Sequence, residues 1–378
     1  MERYSEELLQ YLAIDANSID HWYKACHFVK NVLPPLDGNG IGLDSDKRVH
    51  VLFKDFSPLM LAVVRQICLV AHYPNFDEEH DSNKTLITIC ADHPANAYNT
   101  VRATKYLGHL LAYCSCRVEG EPIDSSNDRL PLDIEFEFVK NYRADKNDDD
   151  VVVITTDEIE RATASCTKAF DVTMGMLVNM VYHTGAEIDN LPAYDNANIE
   201  RYSTALNMFC YKIKQQLILQ KWNDCASPKA DGSYHEMDVK NKLSSIFCAD
   251  CFDARIRGLI DTREKSLAEY LQQDFDMVMK KICDAKTITA LAKSEHARWN
   301  VEKLIMGFQP LEMEDWYEIE SCFGSERKDK IKKLKKKGRH IDICSCKDLR
   351  RVNPADIKYD YFLMLAMPQI MRSYLLAK

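Results

Sequence analysis

The sequence lacks the features that mark a membrane protein, a secreted protein or a common hydrolase. No window of its 378 residues approaches the ~18 consecutive apolar residues needed to span a bilayer. Met1 to Leu12 is acidic and amphipathic, without the uninterrupted apolar segment of a secretory leader. These two absences predict a cytoplasmic protein that stays off membranes. There is no Walker lysine loop, no nucleophile elbow and no His-Glu-x-x-His pair. No internal repeat of fixed period is apparent.

What is present is ordinary in bulk. Hydrophobic residues make up 46% and charged residues 28%, close to a soluble globular average and enough for a large core. The length suggests two or three domains. A net charge of −9 argues against nucleic acid as a partner for the chain as a whole. The fourteen cysteines are scattered and read as reduced, buried, small hydrophobes. Cys248-Ala249-Asp250-Cys251 has the spacing of half a zinc site. The other close pair, Cys344-Ser345-Cys346, is far away and wrongly spaced, so no metal is expected.

Texture divides the chain. Residues 1–46 read as an N-terminal helical segment, with helices at Ser5–Leu12 and Asp20–Val32 and a stop at Leu33-Pro34-Pro35. Residues 47–198 alternate short apolar runs with helical patterns. Strands are expected at Val49–Phe53, Thr85–Cys90, Asp133–Val139, Val151–Ile154 and Met176–Tyr182, with helices at Pro58–Ala71, Ala95–Gly108 and Glu158–Phe170. Such alternation argues a parallel sheet with crossover helices, its strands apolar because both faces are covered. Residues 199–286 read as a helical connector, broken by a polar loop at Ser227–Ser233. A strong helix over Thr287–Met306, ended by Gly307, opens the last segment, 287–378.

The first strand and helix are joined where a dinucleotide-binding fold places its phosphate loop. That loop needs glycines so that the backbone can close on a pyrophosphate. Here it reads Phe53-Lys54-Asp55-Phe56-Ser57-Pro58, without glycine and with a carboxylate that would repel phosphate. Asp92 stands where an acid would hold a ribose hydroxyl. Two readings compete: NAD or a similar dinucleotide bound through Ser57, Asp92 and Thr155, or a retained fold whose site is lost. Because the glycines carry the mechanism, the second is preferred. Order and spacing over residues 47–185 resemble the TrkA-type nucleotide-binding domain that bacteria fuse to ryanodine-receptor-repeat (RyR) domains.

The last segment carries the more specific resemblance. Glu295-His296-Ala297-Arg298-Trp299-Asn300, then Glu302-Lys303 and Gly307-Phe308, is followed by His340-Ile341-Asp342-Ile343-Cys344, Asp348-Leu349 and Asp356-Ile357-Lys358-Tyr359-Asp360. These spaced parts, in this order, resemble the single RyR repeat of bacterial proteins. It departs from that family in the long basic insertion between Gln309 and Arg339 and in Cys344-Ser345-Cys346. The resemblance implies an α/β fold in which a Rossmann-like parallel-sheet domain precedes a mostly α-helical RyR domain. It also implies recognition of a nucleotide-derived signal, in a bacterial signalling or antiviral defence setting, rather than catalysis.

Helical spacing supports a site. Glu295, Trp299, Glu302 and Met306 share one face, with His296, Asn300 and Lys303 beside it and Leu291, Arg298 and Ile305 on its other border. A tryptophan flanked by carboxylates and cations can stack on a purine and hydrogen-bond its edge. The alternative is that the tryptophan is core and the charged residues orient the helix. The expected ligand-binding residues are Glu295, Arg298, Trp299, Glu302, Lys303, His340, Asp342 and Tyr359: Trp299 for stacking, Arg298, Lys303 and His340 for phosphate, and Glu295 and Glu302 for orientation or base and ribose contacts. No catalytic residue is assigned, and the first domain would act as scaffold and homodimer surface. Two further readings remain: a nucleotide-processing enzyme using Glu295 or His296 as base, and an interaction subunit. The second would use Arg327–His340, where nine of fourteen residues are Lys or Arg. That run has no interleaved aromatics, and a solvated helix or loop is its commoner explanation.

Overall fold

The computed structural model describes residues 18–123, 130–142, 151–166, 173–187, 204–210 and 239–377. The expected helix at Ser5–Leu12, the loop at Ser227–Ser233 and most of the pattern over 199–222 lie outside the described residues. The first described element, α1 (Ser18–Asn31), buries Trp22, Ala25, Cys26 and Phe28.

A six-stranded sheet follows. Its strands are β1 (His50–Phe53), β2 (Thr85–Cys90), β3 (Ser115–Val118), β4 (Glu121–Ile123), β5 (Ile134–Val139) and β6 (Val151–Ile154), in the order β4-β3-β5-β2-β1-β6. All neighbours are parallel except β3 and β4. The register is set centrally by His50 opposite Leu86 on one side and Val151 on the other. β1 is buried along its whole length, whereas β5 alternates, with Ile134, Phe136 and Phe138 inward. Four strands thus lie where the apolar runs predict them.

α2 (Pro58–Val70) follows β1. Ser57 caps it by accepting from the Met60 amide at 3.1 Å, with Pro58 opening the helix. The expected single helix after β2 is two, α3 (Pro94–Ala103) and α4 (Leu107–Leu111). α5 (Thr156–Ala162) follows β6, capped by Thr155, which accepts from the Glu158 amide at 3.2 Å.

The expected strand at Met176–Tyr182 is instead part of helix α6 (Thr173–Glu187). An apolar run of this length reads equally as a strand or a buried helix, and burial of Leu177, Val178 and Val181 at helical spacing decides it. The strands the sequence reading missed are β3 and β4. They are short and polar, joined by a tight turn with Glu119 at φ 52° and Gly120 at φ 82°.

The rest is helical: α7 (Val239–Asp250), α8 (Phe252–Arg257), α9 (Leu267–Gln273), α10 (Phe275–Ile282), α11 (Ala285–Ile305), α12 (Met313–Glu320), α13 (Gly324–Lys336), α14 (Cys346–Val352) and α15 (Pro354–Ala377). A helical stretch over 204–210 is also described. No helix among the described residues is long and apolar enough to cross a membrane.

Packing runs across the boundaries drawn from sequence texture. One core cluster joins the sheet to α1, α2 and α7 and takes in Val301, Leu304 and Ile305 from the end of α11. A second, helical cluster contains Ile288, Leu291 and Ala292 from the start of the same helix. α11 therefore crosses both cores.

Candidate functional site

α11 is well bounded. Asp284 caps its start by accepting from the Lys286 and Thr287 amides at 3.1 and 3.0 Å. At its end Gly307 has φ 85°. Its amide donates to Leu304 O and the Phe308 amide to Lys303 O, both at 2.9 Å, the paired closure that favours glycine. Lying between two cores, the helix buries polar residues as well as apolar ones, and these sort into two groups.

The first group is an ion network. Arg298 is fully buried, and its guanidinium is shared between two carboxylates of its own helix. Nε and Nη2 donate to Glu295 at 3.0 and 2.8 Å, and Nη1 donates to Glu302 at 2.6 Å. Arg255 of α8, also fully buried, donates from Nη1 to Glu295 Oε2 at 2.9 Å. Ser244 of α7 donates to Glu302 Oε2 at 2.8 Å, and Lys303 Nζ to Glu302 Oε1 at 2.8 Å. Burial alone would raise the Glu295 pKa, but Arg298 and Arg255 overcome it and hold the carboxyl at about 2. Glu302 is lowered likewise: Lys303 and then Arg298 outweigh its burial. The Nε and Nη2 of Arg255 have no partner among the described residues.

The second group is a set of rings at the other side of the helix. The His296 and Trp299 rings stack at 6.2 Å with 11° between planes. Trp299 meets His340 edge-on at 5.0 Å, and Phe308 meets His340 edge-on at 5.8 Å. Trp299 is half-buried, and the Lys303 ammonium lies 5.3 Å from its ring centroid. Burial, then the charges of Lys335 and Lys303, push the His340 pKa down to about 3, so its imidazole is neutral at pH 7. His296 is fixed from behind: Nε2 donates to Cys344 O at 2.9 Å, and Nδ1 lies 3.5 Å from Asp360 Oδ2. Asn300 Nδ2 donates to the same carbonyl at 2.9 Å.

Asp342 adjoins this group through its own amide, 3.3 Å from His340 Nδ1, and accepts from Asn353 Nδ2 at 2.7 Å. Burial, then the charge of Asp356, raise its pKa to about 6. Tyr359 lies on the contact between α15 and α6, its ring 5.7 Å from that of Tyr182.

The structure thus separates the residues expected to share one site. Trp299, Lys303, His340 and Asp342 come together, and Tyr359 stands apart. Glu295, Arg298 and Glu302 form the buried network, an arrangement in keeping with the orienting role expected of the two glutamates. A phosphate could reach Arg298, or a base Glu295 or Glu302, only by breaking the core. His340, neutral at pH 7, would meet a phosphate as a hydrogen-bond donor rather than as a charge. Arg255 and Ser244 carried no local signal in the sequence: their contacts with Glu295 and Glu302 cross 40 and 58 residues.

The residues expected at a dinucleotide site, Ser57, Asp92 and Thr155, each follow the carboxyl end of a strand, β1, β2 and β6. Strand order reverses at β1, and the crevice between the ends of β1 and β6 is where open sheets of this kind hold ligands. Here Asp55 and Thr156 bridge it. The Asp55 carboxylate accepts from the Thr156 amide at 2.8 Å and from the Thr156 hydroxyl, which also shares a 2.7 Å hydrogen bond with Ser57. The N-terminus of α5, an anion site in such folds, is occupied by the protein's own carboxylate. Asp92, after β2, is exposed.

The cysteine pairs are buried, with Cys251 Sγ donating to Phe247 O at 3.3 Å and burial raising all four thiols. Against known proteins, no family model, no curated sequence and no solved structure matches the chain.

Proposed function

We propose that the chain is a non-catalytic sensor that binds a nucleotide or nucleotide-derived second messenger at the edge of α11 formed by Trp299, Lys303 and His340. The observation that carries this reading is the half-buried indole with the Lys303 ammonium 5.3 Å from its centroid and the His340 ring edge-on at 5.0 Å, His340 being kept neutral first by burial and then by Lys335 and Lys303. A flat base can lie against these rings while its phosphates meet the exposed Lys335, with Lys303 held on Glu302 behind the indole. The similarity of 295–308, 340–349 and 356–360 to bacterial RyR repeats favours the same chemistry and a signalling or defence role.

The sheet domain, whose β5-β2-β1-β6 order is like the 3-2-1-4 part of a Rossmann sheet, would serve as scaffold and dimer surface. NAD at its carboxyl edge would require Asp55 to release α5. The enzyme reading is less favoured, because the Glu295 oxygens are engaged by two guanidinium groups and His296 is held by Cys344 and Asp360.

Thermal unfolding with NAD, ADP-ribose, ATP and cyclic oligonucleotides tests the proposal. A ligand at a hundred times its Kd stabilises by about 2.7 kcal/mol. One nucleotide class is expected to raise Tm, to be recovered unchanged by chromatography, and to lose its effect on Trp299→Ala. An equal shift in Trp299→Ala, or none in the native protein, would overturn it. Conversion of the ligand would replace sensing with catalysis.

A further inference from the structure

α13 is fastened by one side and bare on the other. Leu334 is buried, and Arg327 donates to Ile319 O at 2.8 Å and to Val352 O at 2.7 Å. Lys330 pairs with Glu318 of α12. The opposite side carries Lys328, Lys332, Lys333, Lys335 and Lys336, with Lys337 at the C-cap, and a single carboxylate, Asp329. All are exposed, and none has a hydrogen bond or ion pair among the described residues. Lys328, Lys332 and Lys336 recur at four-residue intervals, which makes one ridge about 12 Å long. Lysines in the last turn offset the helix dipole, but Lys328 lies outside that turn and like charges four residues apart repel. One exposed aromatic stands at the start of the helix that carries the ridge: Phe323, the N-cap of α13, at 80% exposure.

We infer that this ridge binds the phosphates of a single-stranded nucleic acid, with Phe323 as a stacking surface for its bases. Phosphate neutralisation by cations and base stacking on aromatics are the two terms from which sequence-tolerant single-strand binding is built. The run has no aromatic within it; Phe323 immediately precedes its helix. Lysine is depleted at protein interfaces, so an acidic protein fits the ridge less well. Six lysines and no arginine on this side provide point charges rather than paired donors for reading bases. A flat anionic membrane would confront the whole molecule, whose net charge is −9, whereas a strand touches the ridge alone. The apolar residues Ile331 and Leu334 pack inward, leaving no face to enter a bilayer.

Fluorescence anisotropy of the full chain with a labelled oligothymidylate of about 20 nucleotides tests this, beside a duplex of equal length and phosphatidylserine vesicles. Binding to the single strand is expected at about 50 mM salt, with log K falling by about 0.7 per phosphate contacted for each unit of log salt. The triple variant Lys328→Gln/Lys332→Gln/Lys336→Gln should flatten that slope by about 2. Arginine at the same three positions should restore it. Phe323→Ala should weaken binding about tenfold with the slope unchanged. Each substituted side chain is exposed, and an unchanged Tm in each variant verifies the fold. The inference is overturned if the strand does not bind, if the triple variant binds as the native protein does, or if duplex or vesicles are preferred.

Discussion

Replacing Arg298 by methionine, which keeps length and removes charge, probes the buried network most sharply. It deprives Glu295 and Glu302 of the guanidinium they share, leaving Glu295 with Arg255 and Glu302 with Lys303 and Ser244. Removing one partner of a buried ion pair costs about 3–5 kcal/mol, because the remaining charges are left in a medium that solvates them poorly. At ~2.1 cal/mol/K per residue, a cooperative transition of 378 residues has an unfolding entropy of about 0.8 kcal/mol/K. The expected fall in Tm is therefore about 4–6 °C, measurable by calorimetry at pH 7. Arg255→Met should cost less, since two of its three guanidinium nitrogens already lack a partner. Glu295→Gln combined with Arg298→Met should cost less than the sum of the two singles, because they remove one interaction between them. A Tm unchanged within about 1 °C in Arg298→Met would refute the argument, since only exposed, uncoupled residues behave so. If the same variant lost nucleotide binding instead, Arg298 would be a ligand contact after all.

Three further outcomes follow from the geometry. Asp342 has a folded pKa of about 6 against an ordinary 3.8, so its ionisation opposes folding and stability is lost as pH rises from about 4 through 6. Asp342→Asn should raise Tm at pH 8 and leave it nearly unchanged at pH 3.5; urea unfolding at both pH values measures the difference, expected to be up to about 3 kcal/mol. Glu295 titrates in the opposite sense, because its depressed pKa gives stability that is present above about 4.5 and lost as pH falls towards 2. Glu295→Gln should abolish that part of the acid transition. Asp55→Ala removes the acceptor that closes the crevice between β1 and β6 and should cost about 1–3 kcal/mol in denaturant unfolding.

The sheet was legible where a single rule decided the outcome. β1, β2, β5 and β6 are apolar runs of strand length, and Ser57-Pro58 marks its helix start by cap and proline together. The rules conflicted at 176–182, where apolar character alone does not choose between strand and helix and contact with α7 and α15 does. The β3–β4 hairpin was hidden because Pro122 and Glu121 are poor strand formers, tolerated at the sheet edge where one side needs no partner. Helical spacing on α11 put Glu295, Trp299 and Glu302 on one face. It could not show that Arg298 would draw Glu295 and Glu302 into the core, nor that the Trp299 ring would lie with His296 and His340. That division depends on α7, α8 and the 340–344 segment, which are distant in sequence. Spacing along one helix reports neighbours on that helix, not what packs against it.

Equilibrium dialysis against ATP, NAD, ADP-ribose and a cyclic dinucleotide, with native protein and Trp299→Ala side by side, tests the central claim most directly. The account predicts that one of these is retained by the native protein, is recovered chemically unchanged, and is held at least about tenfold less tightly by the variant, a loss in keeping with one stacked aromatic. Retention of none of them, or equal retention by both proteins, would contradict it.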